Sequence, residues 1–195
     1  NHNAFLSMME GALTGKTGFT GEAGYCYVGA VRQGDRTLIV ALLACGWPNN
    51  KNYKWADTKT LVQYGLDQYG YCNYWEDAMQ DQDIRILEAG KKRTVKDAPA
   101  KDGNLYQDGT VNTFLNIDDQ DREKRILMKK TEAIQVQIEE KQEITAPIES
   151  GDILGTVTIL LNGETLDEKP IVSGESIQKK NLLWIYRQLW KSYAL

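Results

Sequence analysis

The chain has 195 residues, 42% of them hydrophobic and 26% charged, with a formal net charge of -4. That balance suits a soluble globular protein of one large or two small domains, and the acidic excess argues against nucleic acid as a partner. The densest basic run, Lys91-Lys92-Arg93, is too short for a binding stripe and fits a solvated turn or strand end. Cys26, Cys45 and Cys72 are odd in number, widely spaced and without a Cys-x-x-Cys pair, so neither a disulfide framework nor a zinc site is expected. His2, the only histidine, excludes a Ser-His-Asp arrangement further along and leaves no histidine cluster for a metal. No cofactor is expected. No apolar run reaches the roughly 18 residues that a membrane span requires.

The first informative element is Gly15-Lys16-Thr17-Gly18-Phe19-Thr20-Gly21, followed by Glu22-Ala23-Gly24-Tyr25. A lysine and a hydroxyl stand beside glycines that strip side chains from one surface. Gly18 and Gly21 would let an extended ligand approach an exposed sheet edge and pair with its backbone. A phosphate-binding loop would need a glycine at position 10, where Glu10 stands, and a helix directly after Thr17, where glycines stand. Tyr25 to Val31 and Thr37 to Leu43 are β-favouring runs around the turn Arg32-Gln33-Gly34-Asp35-Arg36, and they predict an antiparallel hairpin. The second run, apolar along its length, suits a strand covered on both faces. A loop from Cys45 to Asn52 leads to a predicted helix over residues 54–69, with Leu61, Val62, Leu66 and Tyr69 on one face.

Near Gln80 the composition shifts. The helical period gives way to alternation, clearest in Ile134-Gln135-Val136-Gln137-Ile138, which must send apolar and polar side chains to opposite faces. Asn162-Gly163 is the pair that type I′ hairpin turns prefer. Short strands between such turns predict an all-β sandwich of about 100 residues. The acidic clusters Glu76 to Asp83 and Asp118 to Asp121 lack the spacing and glycine of a calcium loop and read as a solvated linker and a solvated turn. Residues 181–195 predict an amphipathic helix, with Leu182, Leu183, Tyr186, Leu189, Trp190 and Tyr193 on one face and Lys179, Lys180, Arg187 and Lys191 supplying charge. Such a helix suits a membrane surface, or alternatively packs on the β-domain.

The stretch Gly15-Lys16-Thr17-Gly18 resembles the Lys-Thr-Gly box of penicillin-recognising serine enzymes. Its continuation, Phe19-Thr20 and then Ala23-Gly24-Tyr25-Cys26, is similar to the D-alanyl-D-alanine carboxypeptidases among the low-molecular-mass penicillin-binding proteins. Asn1-His2-Asn3-Ala4-Phe5-Leu6 resembles the segment just before that box, and Ala146-Pro147-Ile148 with Gly151 and Gly155 resembles a pattern in the β-sandwich that follows the peptidase domain. The resemblance implies an α/β fold: the C-terminal part of a transpeptidase-like domain over residues 1–79, an antiparallel sheet plus helix. A β-sandwich over 80–180 and the helix at 181–195 would follow.

It also implies chemistry. Lys16 and Thr17 would line the active site and hold a terminal carboxylate by charge-assisted hydrogen bonds. The Phe19 backbone N–H would supply half of an oxyanion hole, the other half coming from the nucleophilic serine. Gly18 and Thr20 would contact substrate. Lys54 stands where relatives commonly carry arginine, and a lysine offers a point charge rather than a bidentate fork. The implied partners are peptidoglycan stem peptides and β-lactams, at an extracytoplasmic site beside the membrane or wall. The family's Ser-x-x-Lys and Ser-x-Asn motifs lie upstream of the box, so the expectation is the C-terminal part of a longer enzyme, inactive alone. Ser176-Ile177-Gln178-Lys179 and Tyr71-Cys72-Asn73 imitate those motifs at positions expected to carry no chemistry. A non-catalytic wall-binding or spacer module is the alternative.

Overall fold

The computed structural model describes residues 3–193, so Asn1, His2, Ala194 and Leu195 lie outside the described residues. Two compact units form, one from Asn1–Gly70 with Met128–Thr131, the other from Tyr71–Leu127 with Glu132–Leu195.

The first unit begins with a short 3-10 turn at Ala4–Ser7, followed by β1 (Ala12–Thr20), β2 (Gly24–Gln33), β3 (Arg36–Leu42) and helix α1 (Tyr53–Gln68). The strands form one sheet in the order β1-β2-β3, with both pairings antiparallel. The expected hairpin is present, closed between Gln33 and Arg36. β3 is an edge strand, however, and Ile39 is 74% exposed while its neighbour Val40 is buried. An apolar run records what a strand is built to touch, and here only the helix-bearing face is covered within this unit. The buried stripe of α1 is Lys54, Thr58, Val62 and Leu66, spaced by one helical turn each. Leu61, expected on that face, is exposed. Phe5, Tyr27, Val31, Val40, Val62 and Leu66 make the core.

α1 has no basic residue in its last turn. Its end is instead held from the sheet, where Arg36 Nη1 donates to the Leu66 and Tyr69 carbonyls at 2.7 and 2.6 Å. These are carbonyls that a helix end leaves without intrahelical partners. Arg36→Met should therefore cost about 1.5–3 kcal/mol, the range for hydrogen bonds to a charged group, read as a lower urea midpoint.

The chain leaves the first unit within β4 (Tyr69–Asn73) and enters two short helices, α2 (Tyr74–Ala78) and α3 (Gln82–Ala89). β5 (Lys91–Val95), β6 (Gly109–Leu115), the single turn α4 (Asp119–Arg122), β7 (Arg125–Lys129) and β8 (Ile134–Glu140) follow. β9 (Ile153–Leu161), β10 (Glu164–Ser173) and α5 (Leu182–Tyr193) complete the chain. Helix therefore continues past Gln80, where alternation was expected to take over. Asp81 caps α3 by accepting from the Asp83 and Ile84 amides, and Ile84 and Leu87 are buried. Two apolar positions three residues apart are too few to show a helical period. The acidic clusters serve as helix starts: Asn73 caps α2 ahead of Glu76 and Asp77, and Asp118 caps α4. Acids favour the positive end of a helix dipole.

Instead of a sandwich of two sheets, the second unit has one five-stranded antiparallel sheet in the order β5-β6-β10-β9-β8. It curls until its two edges meet: Glu140 on β8 pairs with Lys91 and Arg93 on β5, at 2.5 and 3.1 Å. Lys96, just after β5, pairs in parallel with Thr145, just after β8. Alternation required one buried face per strand, and a curled sheet meets that demand as well as two stacked ones. Trp75, Ile84 and Leu87 from α2 and α3 pack with Leu115, Val157, Ile159 and Ile171. A second cluster gathers Val95, Val111, Ile144, Ala146, Ile148 and Leu154. Asn162 and Gly163 both take positive φ, 54° and 82°, in the tight turn between β9 and β10. Asp167 is a polar hub, accepting from Tyr74 Oη and Trp75 Nε1, each at 3.1 Å, and pairing with Lys124.

α5 is present where expected, capped by Asn181, whose side chain accepts from the Trp184 amide at 2.8 Å. Trp184, Ile185 and Gln188 are half-buried, while Leu182, Leu183, Tyr186, Leu189, Trp190 and Tyr193 form an exposed apolar arc. No described helix is long and apolar enough to cross a membrane.

Candidate functional site

β1 carries the Lys-Thr-Gly residues on a strand with a neighbour on one side only, so its other edge is open to an added strand. The register with β2 assigns its faces. Thr17 lies opposite Tyr27, which is 1% exposed, and Lys16 lies opposite Val28, which is 48% exposed. Directly opposed side chains share a face, so Thr17 is on the helix-covered side and Lys16 on the open side. Lys16 Nζ folds back to donate to the Thr17 carbonyl at 2.7 Å. Its groove, about 320 Å³, is lined by Thr14, Val28, Ala30 and Ile39 among others.

The helix-covered side holds a smaller groove of about 210 Å³, lined by Thr17, Gly18, Phe19, Tyr25, Lys54 and Trp55. The structure thus brings Lys54 beside Thr17, Gly18 and Phe19. Lys54, in the first turn of α1, is 6% exposed. Its ammonium sits 4.2 Å from the centre of the Tyr25 ring and 4.6 Å from that of Trp55, and donates to the Lys51 carbonyl. Burial lowers its pKa, with Cys45 opposing and Lys51 adding to the effect. The ring faces offset part of the cost of removing this charge from water. Neither Tyr25, part of the tail that carries the resemblance, nor Trp55 was given a place in the site from sequence; the signal was an aromatic directly following Lys54 and one closing the Ala23-Gly24 turn.

Phe19 stands opposite Tyr25, with ring centroids 4.5 Å apart. A Cβ at Gly18 or at Gly21 would meet nothing within 4 Å, so the surface there is bare. Thr20 is turned to the next bend, its hydroxyl accepting from the Ala23 amide at 3.0 Å.

The remaining reactive side chains are committed elsewhere. Cys45 donates to Asp57 and Cys72 to Asp77, both at 3.0 Å, and burial with these carboxylates pushes the thiols up to about 11 and about 12. Neither thiol supplies a thiolate at neutral pH. Ser176 Oγ accepts from the Ser150 amide and Lys179 pairs with Asp97 at 3.1 Å, so both members of this Ser-x-x-Lys have other partners. Asn73 of the other imitation is the cap of α2. Among the described residues no group of His, Cys, Asp and Glu could hold a metal.

The site is therefore an edge strand with a lysine-threonine-glycine run, a bare approach beside it and a buried cation in the adjoining groove. Residues 120–179 match the family described as penicillin-binding protein 5, C-terminal domain. The chain is 25% identical over 183 residues to the D-alanyl-D-alanine carboxypeptidase DacF of Bacillus subtilis, covering 94% of this chain and 41% of that protein. It therefore resembles these carboxypeptidases along nearly its whole length, in their C-terminal portion, while spanning about two fifths of the relative. Among solved structures, the D-alanyl-D-alanine carboxypeptidase DacD from Francisella tularensis aligns at 23% identity with a TM-score of 0.47, covering 92% of this chain and 39% of that one. Penicillin binding protein 5 from Haemophilus influenzae aligns at 20% identity with a TM-score of 0.35, covering 84% of this chain and 42% of that one.

Proposed function

We propose that this chain supplies the substrate-reading strand of a serine D-alanyl-D-alanine carboxypeptidase, which removes the terminal D-alanine of peptidoglycan stem peptides through an acyl-enzyme. The observation that carries this is the groove joining Thr17, Gly18 and Phe19 to the buried Lys54 ammonium. A stem peptide adds along the free edge of β1, and its carboxylate meets the Thr17 hydroxyl and Lys54. Lys16, on the opposite face, serves the reacting centre, and the Phe19 amide donates to the developing oxyanion. The serine and its base come from polypeptide of the transpeptidase-like domain outside these residues. The open sheet face with Lys16, Val28 and Ile39 is apolar enough to pack against it. Alone, the chain forms no covalent adduct with benzylpenicillin, as intact-mass measurement would show.

The second unit follows as the non-catalytic domain. The exposed arc of α5, flanked by Arg187 and Lys191, rests on an anionic membrane surface outside the cytoplasm, where the substrate lies. Titrating the chain with diacetyl-L-Lys-D-Ala-D-Ala while following the amide signals of residues 16–20 tests the reading. Shifts that saturate, weaken in Thr17→Val and vanish for the C-terminal amide of the peptide are expected. Unchanged signals at millimolar peptide would favour a spacer module instead.

A further inference from the structure

We propose that Tyr27 is the positioning residue of the Lys16-Thr17-Gly18 strand, its ring forming the floor on which β1 rests and so setting where Thr17 and the free edge lie. The inference rests on the reading of β1 as the ligand-binding strand.

As an edge strand, β1 is hydrogen-bonded to β2 alone, and its height above the sheet depends on what lies beneath it. Beneath it, side chains are missing at two facing positions, since Gly15 and Gly29 are opposite one another in register. The Tyr27 ring fills that slot. A Cβ at Gly15 would lie 2.3 Å from the Tyr27 hydroxyl, and one at Gly29 would lie 2.4 Å from it and 2.6 Å from the ring. Contacts that close mean that a side chain at either glycine would have to push the Tyr27 ring aside. Tyr27 is also the direct cross-strand neighbour of Thr17, so one side chain touches the strand at both ends of the Gly15-Lys16-Thr17 run.

The ring itself is locked. Phe5 lies on it at 5.9 Å and Trp55 meets it edge-on at 5.0 Å, centroid to centroid. Trp55, together with Tyr25, flanks the Lys54 ammonium and walls the groove, so the Tyr27 ring that meets Trp55 also bears on the far side of the proposed carboxylate site. The Asn3 side chain comes to the same spot, its Nδ2 2.7 Å from where a Gly15 Cβ would be. Burial pushes the Tyr27 phenol up, with Asn3 acting in the opposite sense, so the hydroxyl stays protonated beneath the strand.

An ordinary core aromatic would loosen the whole sheet when trimmed, whereas a floor under β1 would loosen β1. Amide hydrogen exchange of the chain in Tyr27→Leu and Tyr27→Phe separates these. In Tyr27→Leu, the amides bonding β1 to β2 should exchange at least about tenfold faster relative to those bonding β2 to β3, because the two glycines have no side chains with which to fill the gap. Tyr27→Phe keeps the ring and should restore the native ratio. Should Tyr27→Leu not fold, Gly29→Ala displaces the ring by a single methyl and should give the same β1-confined change. A uniform increase, or none, overturns the proposal. The second arm repeats the D-Ala-D-Ala peptide titration, where Tyr27→Leu should weaken binding at least about tenfold and Tyr27→Phe should not. Binding unchanged in Tyr27→Leu overturns positioning. Absence of binding in the unsubstituted chain, with the β1-confined exchange intact, overturns the ligand reading and leaves the floor standing.

Discussion

Trp75→Ala should lower the stability of the second unit by about 3–5 kcal/mol, the range for removing a large aromatic from a packed core. Trp75 is wholly buried among Tyr74, Ile84, Leu87 and Ile159, and its indole N–H is one of the donors that hold Asp167. The change therefore leaves a cavity and takes a partner from a carboxylate whose side chain is only 13% exposed. Urea denaturation followed by tryptophan emission and far-ultraviolet circular dichroism would measure it; a shift below about 1 kcal/mol would mean that the site collapses around the loss. Acid should act on the same hub. Burial raises the Asp167 pKa, but the Trp75 donor, the Glu168 amide and Lys124 outweigh it, and the net shift is downward. A carboxylate depressed in the folded state contributes stability that is full above its unfolded value of about 3.9 and is lost as pH falls through the lower folded value. Asp167→Asn should flatten that acid limb of the stability profile.

Lys54→Met should weaken binding of a D-Ala-D-Ala peptide by roughly 10- to 150-fold, the equivalent of about 1.5–3 kcal/mol for one charge-assisted hydrogen bond. Methionine retains a long apolar stem against Tyr25 and Trp55, so the urea midpoint should move far less than the affinity. With the Lys54 pKa lowered by burial, affinity in the unsubstituted chain should fall as pH rises through a value below the ordinary 10.4 or so. A variant that binds normally while its midpoint drops would make Lys54 a structural cation that caps the Lys51 carbonyl, and would leave Thr17 and Lys16 to carry recognition.

Several elements of both units were legible in the residues because their signals are local. A turn flanked by β-favouring runs gives a hairpin wherever it sits, and Asn162-Gly163 makes its turn through backbone preferences of those two residues alone. The Lys-Thr-Gly run with its tail pointed to a binding strand, and that strand is an edge. The α2 and α3 helices were not legible. Each has only a turn or two, and their boundaries are set by Asn73 and Asp81 caps within a polar stretch that also suits a linker.

What the sequence by itself determined is which side chains alternate, where the chain must turn, and which residues resemble a peptidase box. All of these follow from backbone chemistry over a few neighbouring residues. Tertiary structure alone decided that five strands of the β-rich half form one sheet curled onto Glu140, since closure depends on β5 and β8 meeting across the sheet from opposite edges. It alone decided that Lys16 and Thr17 face opposite sides, a matter of register against β2. It also decided that Lys54 and Trp55, remote in sequence from the box, stand beside Thr17, because packing of α1 against the sheet has no local signature.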